Sequence, residues 1–303
     1  MKKILMILII TAGFAVYGNT FRELQMLGFN QVEQNLRQDQ QVEFRDKKPA
    51  QFSANIYDRS GFLSTSGLTG LINSPSAFVL RTGELVSGFS YIYRDGLIEH
   101  QGTFKDAKQY EKTTHLTYGA TPNMELGFNF LKYDSDITGV APQSLSLTSL
   151  NFKYSFVYET TIVGLGGHYT NITPKDQLML SYSTLEKANS FFIAITERVS
   201  PFFTANFSLK SSMLKSIKDI PGFALDSTSF TTTSVGFDYS RIEGIHFIGE
   251  IEKLNGNFVL PDNNLVLNLG FRLSSNKLRS TLFAQNITNA SDKIYGYTLN
   301  YNF

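Results

Sequence analysis

The chain contains no cysteine and no tryptophan among its 303 residues, and only 17% of its residues are charged. The lack of cysteine excludes disulfides, thiolate metal ligands, cysteine nucleophiles and attachment of a lipid to an N-terminal cysteine. The net charge of +1 gives no basis for a nucleic-acid partner. After the first 20 residues, no stretch approaches the roughly 20 consecutive apolar residues that a membrane-spanning helix needs.

One apolar run, residues 4–15, follows Lys2 and Lys3 and precedes small residues near Gly18. This pattern is typical of a secretory signal peptide and is too short for a stable membrane span. We therefore predict a signal peptide at residues 1–18 and export of the mature chain. Because lipid tolerates only helices and closed sheets, a membrane location of that mature chain requires a β-barrel.

Residues 19–60 are more polar and charged than the rest of the chain. We predict that they form a small periplasmic segment or a plug, and their role stays open. From about residue 84 onward, runs of alternating polarity are separated by turn-forming residues, which is the pattern of antiparallel barrel strands. The sequence thus predicts an all-β, transmembrane antiparallel barrel over residues 61–303.

The strand number follows from counting these runs. About thirteen runs, with a further one at residues 68–80, favour about 14 strands, and 12 is the alternative even number. Tight turns are predicted at residues 121–123, 159–160, 241–244 and 274–277. Loops are predicted at residues 95–109, 134–144, 212–228 and 255–263. Between about residues 177 and 211, where the runs at 177–184, 189–197 and 202–211 follow one another, two consecutive predicted connections are both short. This departs from the alternation of short turns and long loops and indicates that at least one strand there is wrongly assigned.

The last ten residues alternate between an aromatic row and a small polar row. The apolar row comprises Tyr295, Tyr297, Leu299, Tyr301 and Phe303. An amphipathic strand of a soluble sandwich also has this pattern, but together with the signal peptide it favours a closing barrel strand that faces lipid. It looks like the C-terminal signal by which bacterial outer-membrane proteins are recognised, so we predict an outer-membrane location, with the barrel-assembly machinery, outer-membrane lipid and lipopolysaccharide as partners.

A glycine-rich stretch at residues 67–77 contains Gly67, Gly70 and Pro75, and we predict that Pro75 lies in the barrel's first, partly open strand. With residues 83–85, 121–127 and 240–250, this stretch resembles YjbH-like outer-membrane proteins of Gram-negative bacteria. The resemblance implies a non-enzymatic barrel that assists export or surface organisation of an exopolysaccharide, with the polysaccharide as a further partner. It implies no catalytic residue.

Charged side chains in the polar rows are predicted to point into the lumen. These are His168 and a candidate cluster of Lys153, His246, Glu250, Glu252, Arg272 and Arg279. Glu250 and Glu252 are predicted to pair with Arg272 across the sheet, with Arg279 beside it. Such a cluster is either a charged constriction that selects a solute, or a salt-bridge network that fills a narrow barrel.

No enzyme or cofactor motif stands out. The four histidines lack metal-ligand spacing, and no Gly-x-Ser-x-Gly motif occurs. His115, with Thr113 and Thr117 nearby, is a poor match to a hydrolase site at the lipid boundary. We predict no cofactor, no metal and no enzymatic activity, and we keep a porin for small solutes and an outer-membrane lipid hydrolase as alternatives to the export role.

Overall fold

The structure is a computed structural model that describes residues 55–57, 61–100, 103–139, 143–158, 160–174, 189–214, 228–256, 265–285 and 293–303. The predicted signal peptide, most of the predicted segment 19–60 and the run at 177–184 lie outside these residues. Within them the regular structure is all strand, and no helix is long and apolar enough to cross a membrane.

Twelve antiparallel strands close into a barrel in sequence order, and β12 pairs with β1. The strands are β1 (Leu85–His100), β2 (Thr103–Thr121), β3 (Met124–Ile137), β4 (Gln143–Tyr158), β5 (Thr161–Pro174), β6 (Asn189–Arg198), β7 (Phe203–Leu214), β8 (Thr228–Ile242), β9 (Ile245–Gly256), β10 (Leu265–Ser274), β11 (Leu278–Gln285) and β12 (Lys293–Asn302).

The two ends of the barrel differ in their connections. At the end where β1 begins and β12 ends, consecutive strands are joined by residues 122–123, 159–160, 199–202, 243–244 and 275–277. At the other end the connections differ in length, from two residues at 101–102 to fourteen residues at 175–188. Outer-membrane barrels place short turns toward the periplasm and long loops outside, so we call these the short-turn end and the long-loop end. The four predicted tight turns are confirmed.

The apolar rows face outward and the polar rows face inward, as the alternation predicts. On β10, Leu269 and Leu273 are exposed on the outer surface, whereas Asn268 and Arg272 are buried inside. The same holds on β3, where Phe128 is exposed and Glu125 and Asn129 are buried inside. A wall that is apolar outside and polar inside suits a barrel surrounded by acyl chains.

The predicted count of 14 strands is wrong and the alternative of 12 is correct. The glycine-rich stretch at residues 68–80 alternates enough to resemble a strand, but in the structure β1 begins only at Leu85 and Gly70 and Pro75 share only an isolated bridge. Residues 61–80 instead lie inside the barrel, where their contacts reach from β2 round to β11. We call residues 61–80 the lumen segment.

The predicted loop at residues 95–109 is also wrong, because β1 and β2 continue through most of it. Asp106 and Lys108 are exposed, whereas the residues that alternate with them, Ala107 and Gln109, are buried. Strands that extend beyond the apolar band carry polar side chains on their outer face as well, since that face meets water there. A composition that is polar on both faces also fits a loop, which is why the sequence alone predicts one here.

Candidate functional site

The lumen segment folds back on itself through its own backbone. Ser64 N donates to Leu68 O at 2.8 Å, Thr65 N to Ile72 O at 2.8 Å and Gly70 N to Phe62 O at 3.0 Å. Nearly all of its residues are buried. Because the segment is not part of the sheet, its remaining backbone groups need partners on the barrel wall.

Glu125 on β3 and Lys153 on β4 hold one side of the segment. Glu125 accepts hydrogen bonds from Thr69 N at 2.9 Å, Thr69 Oγ1 at 2.8 Å and Leu80 N at 3.1 Å. Lys153 Nζ lies 2.8 Å from Glu125 Oε1 and donates to Thr69 O at 2.8 Å. Both side chains are fully buried. The ion pair therefore has its hydrogen-bonding capacity used by the segment's backbone, which is the condition for a stable buried pair.

A second charged group on β8, β9 and β10 holds the segment from across the lumen. Glu250 accepts from Asn73 N and Ser74 N, each at 2.9 Å, and from the Ser74 hydroxyl. Arg272 Nη2 donates to Gly70 O at 2.6 Å and to Leu71 O at 2.7 Å. In a closed ring of twelve strands, β3 and β9 are on opposite sides, so the segment is bound from both walls.

The arginine has further partners that fix its position. Arg272 Nη1 lies 3.3 Å from Asp238 Oδ2, and Asp238 Oδ1 lies 2.8 Å from His246 Nδ1. Its guanidinium carbon lies 4.8 Å from the centroid of the Phe62 ring. His246 contacts the same ring edge-on, at a centroid distance of 4.9 Å. The lumen segment thus inserts an aromatic side chain among these polar groups.

All six residues of the candidate charge cluster lie on the inner wall, but their partners differ from those predicted. The carboxylate that meets Arg272 is Asp238. Glu250 binds the segment's backbone, and Glu252 accepts from Asn73 Nδ2 at 2.9 Å. Arg279 and Arg272 both place their guanidinium groups over the Phe62 ring, so they lie near each other as predicted. Cross-strand pairing rules consider only neighbours within the sheet, and these partners come from a segment outside it.

Three residues of this site were not singled out from the sequence: Asn73, Glu125 and Asp238. Glu125 was recoverable, because it lies in the polar row of β3 and is the cross-strand neighbour of Lys153. Asp238 likewise lies in an inward row. Asn73 carries no such signal, since nothing in the sequence indicates that residues 61–80 enter the lumen.

The glycine-rich stretch of the family resemblance lies in the lumen segment. Gly67 has a φ of +80°, and a Cβ there would collide with Asn129 Oδ1. At Gly70, a Cβ would collide with Ser74 O and lie 3.0 Å from Pro75 Cα. Pro75 O accepts from Asn206 Nδ2 on β7 at 3.4 Å. The glycines are therefore explained by close packing of the segment against itself and against the wall.

A different part of the inner wall, on β11 and β12, carries a group of buried polar atoms that have no hydrogen-bond partner among the described residues. The atoms are Arg279 Nη1, Thr281 Oγ1, Thr298 Oγ1, Asn300 Oδ1, Asn300 Nδ2 and Asn302 Oδ1. We call the five residues that carry them the polar strip. Other buried polar atoms without such a partner are spread over β3–β8 and β10. A buried polar group without a partner costs about 1–3 kcal/mol, and such groups are rare in folded proteins.

Toward the long-loop end, a pocket opens against β1, β2, β3, β11 and β12. Its lining combines apolar and polar side chains: Ile92, Arg94, Gln109, Glu111, Tyr133, Gln285 and Ile294. Gln285 Nε2 donates to Asn73 Oδ1 at 2.5 Å, so one residue of the pocket lining is bonded to the lumen segment.

His115 has two hydrogen-bonding neighbours on the inner wall. Its Nε2 lies within hydrogen-bond distance of Ser90 Oγ, and its Nδ1 lies 3.1 Å from Asn129 Oδ1. Asn129 Nδ2 donates to Ser66 O at 2.5 Å, which fixes its Oδ1 toward the ring. The Nδ1 nitrogen is then the donor and the Nε2 nitrogen accepts from the serine. This order of groups resembles a serine–histidine pair with an orienting amide, but it faces the lumen and not the lipid.

The aromatic row of the last strand lies on the outer surface. Tyr295, Tyr297, Leu299, Tyr301 and Phe303 are all exposed there, as predicted. The strand closes the barrel, with Val86 opposite Asn302, and Phe303 N donates to Leu85 O at 3.0 Å. The Tyr297 ring lies between Phe89 and Tyr91 of β1, at centroid distances of 6.1 and 5.8 Å. A role of this row as an assembly signal stays a prediction.

Among the described residues, no group of three or more histidine, aspartate or glutamate side chains is arranged to hold a metal ion. No family model matches the chain, and no curated protein matches it in sequence. The resemblance to YjbH-like proteins therefore stays a prediction.

Solved structures do match the fold. An outer membrane channel from Pseudomonas putida F1 matches with a TM-score of 0.54 at 10% identity, over 74% of this chain and 97% of that one. The NanC porin matches with a TM-score of 0.47 at 9% identity, over 72% of this chain and 98% of the porin. At 10% identity the first match shows the fold alone: a closed transmembrane barrel of the outer-membrane type.

Proposed function

We propose that this protein is an outer-membrane channel for small polar solutes, in which the lumen segment narrows the passage. The observation that supports this most strongly is the double attachment of that segment, by Glu125 and Lys153 on one wall and by Glu250 and Arg272 on the other. A segment bound only by non-covalent contacts inside a polar barrel can be displaced without breaking the wall.

The strand number agrees with this function. Barrels of about eight strands are just filled by their own side chains, whereas those of 16–18 strands leave a wide aqueous channel. Twelve strands lie between these limits. A lumen of this size has room for an inserted segment, and displacing that segment opens a passage for small solutes.

The attachments stabilise the narrowed state and still allow its release. A hydrogen bond to a charged group contributes about 1.5–3 kcal/mol. Release of the segment admits water to the lumen, where Glu125, Lys153, Glu250 and Arg272 are hydrated again. The same charges that hold the segment then line the open passage, as charged rings do in other pores.

Single-channel conductance in planar lipid bilayers tests the proposal. The double variant Glu125→Gln and Glu250→Gln keeps the side-chain shapes, weakens the bonds to Thr69, Asn73 and Ser74, and leaves Lys153 without its counter-ion. Because the segment is then held less firmly, we expect a higher conductance than that of the wild type. A matched control is Glu197→Gln, whose carboxylate binds Thr160 and Thr161 at the short-turn end, away from the segment. The proposal is wrong if neither wild type nor double variant conducts.

The role in exopolysaccharide export stays a second prediction, which rests on the sequence resemblance alone. It implies that loss of the gene reduces surface polysaccharide without impairing growth on small nutrients. The channel proposal implies slower uptake of a small solute instead. Measuring both phenotypes in one deletion strain separates the two roles.

A hydrolase is the third possibility, and Ser90, His115 and Asn129 are the observation that favours it. Against it, Ser90 and His115 are each only 1% exposed, and Gly67 of the lumen segment lies against His115 and Asn129. Labelling by a serine-directed fluorophosphonate probe that disappears in Ser90→Ala would support this activity. We expect no labelling, in keeping with the predicted absence of enzymatic activity.

A further inference from the structure

The polar strip runs along the barrel axis at one place on the wall. Thr281, Thr298 and Ser90 occupy the same level on β11, β12 and β1. Arg279 and Asn300 lie one inward residue nearer the short-turn end, and Asn302 lies at that end. Three of the strip residues, Thr281, Thr298 and Asn300, are at most 3% exposed, so they face the interior of the protein.

The lumen segment presents mainly apolar groups to this side. Phe62 lies under the Arg279 guanidinium, at 5.7 Å, and Leu63 and Leu80 pack on Val86 of β1. On the opposite wall Glu125, Glu250, Glu252 and Arg272 each bond to the segment. Among the described residues, the segment's bonds to charged side chains thus lie mainly on β3, β4, β9 and β10, whereas β11 reaches it through Gln285 and the Arg279 guanidinium.

Toward the long-loop end, the same strands carry an apolar collar and then the pocket. The collar is formed by Ile92 and Phe283 of the wall, packed with Leu71 and Ile72 of the segment. Beyond it, Arg94, Gln109 and Gln285 line the pocket. Pocket, collar and polar strip thus follow one another along β1, β11 and β12, from one end of the barrel to the other.

We infer that this side of the lumen is the solute route: small hydrogen-bonding solutes pass between the lumen segment and β11–β12. The threonine and asparagine side chains of the strip replace part of the solute's hydration, and the collar limits its size. Arg279 is the ionised member of the strip, so the strip prefers anions to cations, whereas the pocket carries both Arg94 and Glu111. The inference rests on the proposed channel function and assigns the route within it.

Conductance of the double variant Thr281→Val and Thr298→Val tests the route. Valine keeps the shape of threonine but removes the hydroxyl, so we expect several-fold lower conductance than in wild type. Thr170→Val on β5 is the matched control, because Thr170 is also buried in the lumen wall but is bonded to Ser149 at 3.0 Å. Equal conductance in wild type and the strip variant, or an equal loss in the control, overturns the inference.

Ion selectivity gives a second readout. In a salt gradient, we expect the reversal potential of wild type to indicate anion preference and that of Arg279→Gln to lie nearer zero. An unchanged reversal potential contradicts the role of Arg279.

Failure of the route and failure of the channel function are distinguishable. In the Glu125→Gln and Glu250→Gln background the passage is wider, so the two threonine substitutions should lower conductance far less. If that background conducts while wild type does not, the route past the bound segment is wrong and the channel function stands.

Discussion

Two arcs of the same inner wall treat the lumen segment differently. On β2–β10, buried Glu125, Lys153, Glu250 and Arg272 bind its backbone. On β11 and β12, buried polar atoms of Thr281, Thr298 and Asn300 have no hydrogen-bond partner among the described residues. Both arcs are inward polar rows by the same alternation, so a polar row alone does not distinguish a surface that holds a segment from one that does not.

The difference lies in the type of polar group. Ionised side chains accept or donate several bonds at once, and Glu125 accepts four: from Thr69 N, Thr69 Oγ1, Leu80 N and Lys153 Nζ. Hydroxyl and amide groups bind more weakly and exchange partners readily. The comparison therefore predicts large effects from substitutions in the first arc and small or opposite effects in the second.

The largest effect is expected from Lys153→Met, which leaves the Glu125 carboxylate buried without its counter-ion. Loss of one partner of a buried pair lowers the free energy of unfolding by about 3–5 kcal/mol. Urea unfolding of the protein in lipid vesicles measures this loss in the free energy of unfolding. The control is Lys132→Met, whose side chain is 51% exposed and lies 3.2 Å from Asp134, and an exposed pair contributes about 0–1 kcal/mol. Similar losses in both variants would mean that the Lys153 pair does not hold the segment.

Gly67→Ala comes next. Its φ of +80° disfavours any Cβ, and the new methyl group would collide with Asn129 Oδ1 and lie 2.8 Å from His115 Nδ1. Gly83→Ala is the control, because its φ is +81° but no atom lies within 4 Å of the added Cβ. Both lose about 1–2 kcal/mol through the backbone. In the same unfolding measurement, Gly67→Ala should lower the free energy of unfolding by more than Gly83→Ala does. Equal losses in the two variants would show that Gly67 is not packed against the wall.

The smallest effects are expected from a threonine-to-valine substitution, made once on each arc. Thr196→Val removes the hydroxyl that accepts from Ala77 N at 2.9 Å and donates to Asn206 at 2.7 Å, so it should cost about 1–3 kcal/mol. Thr298→Val removes a hydroxyl that has no hydrogen-bond partner in the described part of the chain, so it should leave the free energy of unfolding unchanged or slightly higher. The reverse order would remove the distinction between the two arcs.

The sequence predicted the wall well because the barrel imposes a period of two on every strand. Leu269 and Leu273 outside, and Asn268 and Arg272 inside, follow from that period alone. The lumen segment was missed because residues 68–80 show a similar period without belonging to the sheet. Glu250 and Asn73 are separated by 177 residues, and no local pattern indicates such a contact.

The most direct test of the central claim uses the absence of cysteine in the chain. A Cβ at residue 164 of β5 would lie 3.4 Å from Ala77 Cβ, close to the spacing in a disulfide. We therefore expect Ala77→Cys with Gly164→Cys, in the Glu125→Gln and Glu250→Gln background, to form a disulfide that fixes the lumen segment to the wall. Conductance in planar bilayers should be low when this protein is oxidised and should rise on reduction. The same conductance in both states, with the disulfide shown to form, would contradict the claim that residues 61–80 control the passage.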